Sequence, residues 1–400
     1  MDPRSPRLTH ELPRTVDVAI LGGGIAGLAT AFFAHRAGLT SVVIERRTAL
    51  ASLSTSAATG GFRLQFDNPH EIATVRESLE FYQRFESETG LADWDLGWMP
   101  QGYLLCAFEA ATEARQRRRV EAQRAWGVTD VELLDAREVR VRWPWLSERV
   151  ISATYRAGDG WLDPKRLAIG YAAASGEPCV MGTEVHGFLE SGQRITGLRT
   201  SRGDLSAGAI VLAAGPFSGT IAQLAGVALP ISPTRRYRLI LPDVPEAPAD
   251  APMTIDEESG AHWRPWRGGA HGMWTRPDVP SEAPLDDVPP SDAFAFALLD
   301  PASPAALARL SPFWAGVWRR QSLHWSIRAG QYDDTPDRRP LLGASSRAGL
   351  FVNTGHSGHG VMSSAACARI TVDAIRGVLA HEANPFRFDR IFEPADPASL

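Results

Sequence analysis

Lysine and cysteine are both scarce in this chain of 400 residues. Lys165 is the one lysine, although lysine and arginine together number 41. The three cysteines, Cys106, Cys179 and Cys367, lie far apart and form no Cys-x-x-Cys pair. This spacing argues against a zinc site and against a disulfide framework. We therefore expect no bound metal, and free thiols in a reducing, cytoplasmic environment.

Long apolar runs and a strong excess of charge are also missing. No apolar stretch reaches the roughly 18 residues that a membrane span needs. A net charge of -5 and a pI near 6.1 argue against a surface for nucleic acid or anionic membranes. The polar segment Met1–Arg14 lacks the apolar core of a signal peptide, and we interpret it as a short mobile arm. The chain length predicts two folding units.

A strand, a glycine turn, a helix and a second strand follow within one βαβ length. Thr15–Leu21 is a short apolar run typical of a buried parallel strand. Gly22–Gly27 reads GGGIAG and satisfies Gly-x-Gly-x-x-Gly. Leu28–Ala37 is alanine-rich and predicts a helix, and Ser41–Ile44 predicts the next strand, which ends at Glu45. This arrangement is typical of a dinucleotide-binding fold.

A physical reason requires glycine at each of the three motif positions of the turn. Gly22 permits a tight turn, Gly24 lets the backbone approach a pyrophosphate, and Gly27 lets the helix pack on the strand. The helix N-terminus directs amide groups and partial positive charge at the phosphates. Glu45 lies near the spacing at which an acid accepts from a ribose hydroxyl. The alternative is a glycine-rich turn followed by a coincidental glutamate.

Two later segments favour FAD over NAD. Ala209–Gly215 is a buried strand that ends in a small-residue turn. Leu350–Gly360 is another strand, and it enters a Gly/His/Ser loop before the helical stretch Val361–Arg376. A late glycine-rich junction of this kind is not expected of a simple NAD-binding domain. It returns the chain to the first fold, where it could contact the same ligand.

At this point the chain resembles the D-amino-acid oxidase superfamily, in the branch of sarcosine oxidases, glycine oxidases and related amine dehydrogenases. The matching segments occur in the family's order and span nearly the whole chain. They are VAILGGGIAGLATAFFAHRAG with VVIER, STSAATGGFRLQF at Ser54–Phe66, VLAAGPFS at Val211–Ser218, YDDTPDRRPLLG at Tyr332–Gly343 and VNTGHSGHGVMSSAA at Val352–Ala366. Thr254–Gly269 is a weaker match.

The resemblance implies an α/β fold with a Rossmann-like FAD-binding domain of the glutathione-reductase type. A discontinuous α+β substrate domain, built on an antiparallel sheet, would lie over the flavin. The expected FAD-binding domain comprises residues 15–90, 145–230 and 335–395. The expected substrate domain comprises residues 91–144 and 231–334.

The resemblance also implies the residues that contact FAD. Gly22, Gly24 and Gly27 would bind the pyrophosphate, Glu45 the ribose of the AMP half, and Val185 the adenine through its backbone. The full expected set is Gly22, Gly24, Ile25, Ala26, Gly27, Glu45, Arg46, Ser54, Thr55, Ser56, Thr59, Gly60, Gly61, Val185, Ala214, Gly215, Gly358, His359, Gly360, Val361 and Met362.

The implied chemistry is transfer of a hydride from an amine-bearing carbon to flavin N5, which yields an imine. A carboxylate on the substrate calls for an arginine, because its planar fork binds two oxygens. The candidate catalytic residues are Arg63, Arg328 and His359, and Arg264 is a further carboxylate candidate. An ion pair across the domain interface is the alternative for Arg63.

Histidines and tryptophans in the expected substrate domain allow two interpretations. His262 and His271 could contact substrate, and a structural histidine is an equal alternative. Tryptophans cluster around Trp263 and around Trp314, where they could form an aromatic wall, although core packing is favoured. Sarcosine-oxidase-like members carry a lysine near flavin N5 that promotes reaction with oxygen. The matching stretch is GGAHGMW, near Ala270, which has no lysine, and His271 could replace that lysine as a cation. The electron acceptor is therefore oxygen or another oxidant.

Three functions remain compatible with the residues. The first is oxidation of a C–N bond in an amino acid or N-alkyl amino acid. The second is a flavin-dependent hydroxylase, although that class shows a late Gly-Asp motif where this chain has TPDRRPLLG and TGHSGHG. The third is a non-catalytic flavoprotein subunit of a complex.

Non-covalent attachment of FAD is the first testable expectation. Some family members link FAD through a cysteine just before the TPD segment, where this chain has Gly330, and others through a histidine near Ser54, where none lies. Acid precipitation of the purified holoprotein should therefore release all the flavin into the supernatant. Flavin absorbance retained in the washed pellet would contradict non-covalent binding.

Overall fold

The computed structural model describes residues 4–276 and 279–393. Two large sheets contain most of the strands. The nine strands of the first sheet are Leu8–Thr9, Thr15–Leu21, Ser41–Ile44, Cys179–Val180, Val185–Ser191, Arg194–Thr200, Gly203–Leu212, Leu341–Ala344 and Leu350–Thr354. The eight strands of the second sheet are Tyr103–Ala107, Glu132–Asp135, Ser152–Arg156, Ser232–Leu241, Met253–Asp256, Ala261–Trp266, Gly269–Trp274 and Ser326–Asp334. Gly61–Phe62 and Gly160–Trp161 form a separate two-stranded ribbon.

Helices cover the sheets and connect their strands. The α-helices are Ile25–Arg36, Ser54–Ala57, Pro69–Gln83, Phe85–Thr89, Ala110–Ala125, Ala136–Arg142, Pro164–Ser175, Ser218–Gln223, Asp292–Leu299, Leu307–Leu310, Trp314–Trp318 and Gly360–Ile375. Two 3-10 helices, Gly215–Phe217 and His381–Ala383, complete the set. None of the helices in the described part of the chain is both long and apolar enough to span a membrane.

Parallel pairing at the centre of the first sheet positions the cofactor motifs. Five neighbouring parallel strands, in spatial order, are Cys179–Val180, Ser41–Ile44, Thr15–Leu21, Gly203–Leu212 and Leu350–Thr354. The predicted strands Thr15–Leu21 and Ser41–Ile44 are confirmed with the same bounds. Because parallel strands all end at the same edge of a sheet, the turns that follow them lie close together.

Three helices pack against one another on this sheet. Ile25–Arg36 contacts both Pro164–Ser175 and Gly360–Ile375. It begins directly after Gly24 and is buried over most of its length, because its alanines and phenylalanines leave almost no polar face. The predicted late helix is confirmed as Gly360–Ile375, so the C-terminal segment does return to the first fold.

The second sheet is antiparallel apart from one parallel pair, Met253–Asp256 with Tyr103–Ala107. Its two faces differ in character. Leu239 and Leu241 point into an apolar core with the fully buried Trp263 and Trp314. Packing in the core is therefore the role of these tryptophans. The opposite face looks toward the first sheet and carries the polar side chains described below.

Two sequence expectations need correction. Ser152–Arg156 falls inside the expected FAD-binding range 145–230, yet it pairs with Tyr103–Ala107 and Glu132–Asp135 in the second sheet. We therefore propose that the substrate domain extends past this strand. The arm before Arg14 is partly ordered, because Leu8–Thr9 adds to the first sheet beside Cys179–Val180. Residues 1–3, and residues 394–395 of the expected range 335–395, lie outside the described residues.

Replacing Gly27 by alanine should destabilise the fold. A Cβ at Gly27 would lie 1.9 Å from the Gly22 carbonyl oxygen, so the helix would have to move off the strand. We expect Gly27→Ala to lower the free energy of unfolding by at least about 2 kcal/mol, measured by thermal or denaturant unfolding. Gly219→Ala is the matched control, because a Cβ there meets nothing within 4 Å. Equal stability of the two variants would contradict this role of Gly27.

Candidate functional site

A cavity of about 400 Å³ opens at the edge where the parallel strands of the first sheet end. The turns after three of these strands line it, at Gly22–Ala26, at Glu45–Arg47 and at Ala213–Phe217. The loop after Leu350–Thr354 completes the lining. The cavity therefore lies where an open α/β sheet binds a nucleotide.

The glycine turn leaves room for a ligand at one position only. Gly22 has a φ of +115°, and a Cβ there would lie 2.5 Å from the Ala213 carbonyl oxygen. Close backbone contacts within the protein therefore explain why Gly22 and Gly27 are glycines. A Cβ at Gly24 would meet only the Thr55 hydroxyl oxygen, at 3.5 Å. The structure explains Gly24 by the space that it leaves open in the cavity.

Glu45 joins the turn to the end of the second strand. One carboxylate oxygen accepts from the Gly23 amide at 2.7 Å, and the other accepts from the Arg47 amide at 2.7 Å. Each oxygen keeps a lone pair, because a carboxylate offers about four acceptor sites. Since Glu45 lines the cavity, those remaining sites can accept from ribose hydroxyl groups.

An unsatisfied histidine is independent support for a polar ligand in this cavity. His356 lines the cavity and is buried, and neither of its ring nitrogens has a hydrogen-bond partner among the described residues. Burial lowers the pKa of His356. A buried polar group without a partner is costly, so it is normally paired with a ligand or with water. The lining residues therefore fit a dinucleotide such as FAD.

Most of the FAD contacts expected from the sequence do line this cavity. They are Gly22, Gly24, Ile25, Ala26, Glu45, Arg46, Ser54, Thr55, Val185, Ala214, Gly215, Gly358, Gly360 and Val361. Gly27 lies behind the turn and contacts Gly22. Ser56 lines a different cavity. The remaining expected residues, Thr59, Gly60, Gly61, His359 and Met362, line a smaller cavity next to the first.

This smaller cavity has a volume of about 110 Å³ and lies between the two sheets. It shares Ala58, Tyr332, Gly358 and Val361 with the larger one, so the two cavities adjoin. Its lining is rich in cations and rings, and these residues are Arg63, Arg236, Arg338, Tyr103, Tyr332, His262 and His359. Asp334 is the carboxylate in the lining.

Arg63 is buried in the wall of the smaller cavity. Its guanidinium lies 4.5 Å from the centre of the Phe66 ring and donates to the Gln65 carbonyl at 3.1 Å. Burial lowers the pKa of Arg63. These contacts hold the Arg63 guanidinium in place beside the cavity.

His359 contacts an acid that the sequence did not single out. Its Nδ1 lies 3.4 Å from an oxygen of Glu71, and its ring stands edge-on to Phe66 at 5.1 Å. Glu71 reaches this place because Asn68 caps the helix Pro69–Gln83 and fixes its first turn. The His359 amide donates to the His356 carbonyl at 2.8 Å, so the ring of His359, and not its amide, is available to the cavity.

The structure separates Arg328 from Arg63 and His359. Arg328 is exposed and lines another cavity, of about 280 Å³, together with Ser56 and residues 285–288. The strand Ser326–Asp334 contacts the short helix Ser54–Ala57 at Gly330, where a Cβ would lie 2.8 Å from the Ala57 side chain. Gly330 and Ala57 line the cavity of Arg328, and none of these three residues lines the smaller cavity.

Arg238 and Arg264 fix the segment beside the expected flavin position. Arg238 donates to the Ala58 carbonyl at 2.5 Å, and Arg264 donates to the Thr59 carbonyl at 3.1 Å. Burial, followed by repulsion from Arg328, lowers the pKa of Arg238 to about 10. Burial, followed by repulsion from Arg238, lowers the pKa of Arg264 to about 9. Both side chains are cationic at neutral pH, and only Arg264 was a candidate from the sequence.

The two histidines of the second sheet are both neutral at neutral pH. His262 lines the smaller cavity, its Nδ1 donates to the Gly260 carbonyl at 2.9 Å, and burial lowers its pKa to about 4. His271 stacks on Trp266 at 4.8 Å instead. Burial, followed by repulsion from Arg264 and Arg238, lowers the pKa of His271 to about 2. The expectation that His271 could replace the missing lysine as a cation is therefore wrong.

The chain is similar to known flavoproteins along nearly its whole length. A family model described as FAD dependent oxidoreductase, DAO, matches residues 17–374. FAD-dependent oxidoreductase domain-containing protein 1 of Bos taurus is 28% identical, over 96% of this chain and 86% of that protein. Glycine oxidase of Pseudomonas aeruginosa is 27% identical, over 90% and 94%. The crystal structure of L-proline dehydrogenase from P. horikoshii superposes with a TM-score of 0.80 at 25% identity, covering 94% of this chain and 99% of that one.

Loss of stability in acid follows from the buried histidines. The folded-state pKa of His271, about 2, lies below the ordinary value of 6.5. The contribution of neutral His271 to the free energy of unfolding is therefore complete above pH 6.5. It is lost as the pH falls toward the folded-state pKa, because the unfolded chain binds the proton first. Removing one such group reduces the slope of the free energy of unfolding against pH by up to about 1.4 kcal/mol per pH unit. We expect His271→Phe, which keeps a ring on Trp266, to flatten the fall in melting temperature between about pH 6 and pH 4.

The control for this measurement is His186→Gln, because His186 is exposed. The control should follow the wild-type profile. An unchanged slope in His271→Phe would contradict the neutral, buried state of His271.

Proposed function

The chain belongs to the family of FAD dependent oxidoreductases, DAO, and on that premise we propose that it oxidises a C–N bond in an amino acid or N-alkyl amino acid to an imine. The protein is an enzyme and its cofactor is FAD. The observation that carries the proposal is the small cavity with Arg63 in its wall, which adjoins the dinucleotide cavity. A small carboxylate-bearing molecule fits this position.

The chain's own residues would hold the cofactor at both ends of the larger cavity. Gly24 and the N-terminus of the helix Ile25–Arg36 fit the pyrophosphate, and Glu45 fits the ribose. The N-terminus of the helix Gly360–Ile375 directs its first amides at the junction of the two cavities. Bound FAD supplies a hydride acceptor at N5 of its ring.

Arg63 would orient the substrate through its carboxylate. A guanidinium held by Phe66 and the Gln65 carbonyl loses little further freedom on binding, so the reacting carbon is fixed in position. Glycine oxidase and L-proline dehydrogenase, two of the similar proteins, are named for substrates that carry a carboxylate beside an amine. This agreement supports an amino-acid substrate for the present chain.

His359 would accept the ammonium proton of the substrate. The Glu71 carboxylate, 3.4 Å from Nδ1, would orient the ring, and Nε2 would then be the acceptor. Loss of the ammonium proton would leave a lone pair on the substrate nitrogen, next to the reacting carbon. In this scheme Glu71 is a positioning residue and His359 is a catalytic residue.

Part of the lining of the smaller cavity is apolar or aromatic. Ile255 and Met362 contribute apolar surface, and Tyr103 and Tyr332 contribute rings. Displacement of water by a bound substrate would strengthen the interaction between Arg63 and a carboxylate. The proposed electron acceptor is oxygen or another oxidant, and the cytoplasmic location stays a prediction.

The test is anaerobic addition of amines to the oxidised holoenzyme, followed by flavin absorbance. We expect at least one amino acid or N-alkyl amino acid to bleach the flavin without NAD(P)H. Bleaching that requires NAD(P)H would instead support a flavin-dependent hydroxylase. No bleaching with any amine would support a non-catalytic flavoprotein subunit. Either result contradicts the proposal.

Two arginine variants identify the carboxylate clamp in the same assay. Arg63→Gln should weaken the substrate affinity by about 10- to 100-fold, since a charge-assisted hydrogen bond contributes about 1.5–3 kcal/mol. Arg328→Gln is the matched control, because Arg328 is exposed and lines a separate cavity. A loss of affinity in Arg328→Gln, without a loss in Arg63→Gln, would transfer the role to Arg328.

A further inference from the structure

Arginines outnumber carboxylates in the lining of the smaller cavity. Arg63, Arg236 and Arg338 line it, and Asp334 is the carboxylate in the same lining. His262, also in the lining, is neutral because burial lowers its pKa to about 4. Arg338 has another interaction within the protein, so one substrate carboxylate on Arg63 would still leave Arg236 to be explained.

Arg236 has one long ion pair with the protein. Its side chain is 15% exposed, and one amino group donates to an Asp334 oxygen at 3.5 Å. That same oxygen already accepts a short hydrogen bond from the Thr234 hydroxyl. The other amino group of Arg236 donates to the Arg235 carbonyl at 3.1 Å, while its buried Nε has no partner among the described residues. The guanidinium also lies 5.2 Å from the centre of the Tyr332 ring.

The neighbouring arginine on the same strand is paired completely. Arg235 donates from Nε and from an amino group to the two oxygens of Glu282, at 3.1 and 2.6 Å. It points to the opposite face of the sheet, because side chains alternate along the strand Ser232–Leu241. The two neighbouring arginines therefore differ in their carboxylate partners: Arg235 binds both oxygens of Glu282, whereas Arg236 contacts one oxygen of Asp334.

We propose that Arg236 binds a second carboxylate, so that the substrate is an acidic amine, an amino acid or N-alkyl amino acid with two carboxylates. A largely buried cation with weak pairing is unfavourable, and an anionic ligand satisfies it. Arg63 follows the ribbon strand Gly61–Phe62 and Arg236 lies in the second sheet, so the two carboxylates would be held from two different parts of the fold. This inference rests on the proposed function, in which Arg63 holds the first carboxylate.

Ligand binding to the oxidised holoenzyme tests the inference without turnover. Acetate, malonate and succinate are titrated separately, and the perturbation of the flavin spectrum is followed. We expect at least one dicarboxylate to bind about 10- to 100-fold more tightly than acetate, which is the range of a charge-assisted hydrogen bond. Equal affinities for the three ligands, or no perturbation by any of them, would overturn the inference.

Variants of the two adjacent arginines separate ligand binding from structure. Arg236→Gln should remove the preference for the dicarboxylate and leave the affinity for acetate unchanged. Arg236→Lys keeps the charge and should retain part of the preference, and Arg235→Gln should behave as the wild type. An equal loss for both ligands in Arg236→Gln, or a lost preference in Arg235→Gln, would assign Arg236 a structural role and refute the inference.

Acid and amide pairs distinguish failure of this inference from failure of the proposed function. Both enantiomers of aspartate and asparagine, and of glutamate and glutamine, are added anaerobically to the holoenzyme, together with iminodiacetate and sarcosine. The inference predicts faster bleaching by the acid of at least one pair. Equal or faster bleaching by the neutral partners would refute it while the proposed function stands. Dicarboxylate binding without bleaching by any amine would refute the proposed function and leave the second carboxylate site supported.

Discussion

Five parallel strands of the first sheet end at one edge, and this shared edge constrains everything that surrounds the cofactor cavity. Segments that are far apart in sequence are brought together there, so one ligand can contact Gly24, Glu45, Gly215 and Gly358. The edge exists because apolar, β-branched strands are covered by helices on the sheet. The close approach of Gly27 to the Gly22 carbonyl joins strand and helix at its centre.

Side chains alternate between the two faces of the second sheet, so that one face carries the positive charges that line the cavities. Leu239 and Leu241 anchor the strand Ser232–Leu241 in an apolar core, and Arg236 and Arg238 consequently face the cavities. Burying several cations on one face is unfavourable, and backbone carbonyls offset part of this cost. The amino groups of Arg238 donate to the Ser56 and Ala58 carbonyls, whereas Arg236 has one long contact with Asp334 beside the smaller cavity. Anion binding is the function that this asymmetry favours.

Local patterns in the sequence predicted local structure well. Thr15–Leu21 and Ser41–Ile44 have the predicted bounds, because strand composition and the glycine turn determine them over a few residues. Glu71 was missed because it approaches His359 only through the fold, from a helix almost 290 residues earlier in the chain. Arg328 was grouped with Arg63 from its distance along the chain to the TPD segment. The two arginines line different cavities, and this depends on how strands and helices pack, which no local pattern encodes.

The central claim is that the dinucleotide cavity continues into an arginine-lined substrate cavity, with the flavin ring where the two meet. A crystal structure of the holoenzyme tests this most directly. The account predicts the pyrophosphate at Gly24 and the ring against the residues that both cavities share, Ala58, Tyr332, Gly358 and Val361. A flavin ring placed away from these residues, with Arg63 and Arg236 remote from it, would contradict the account.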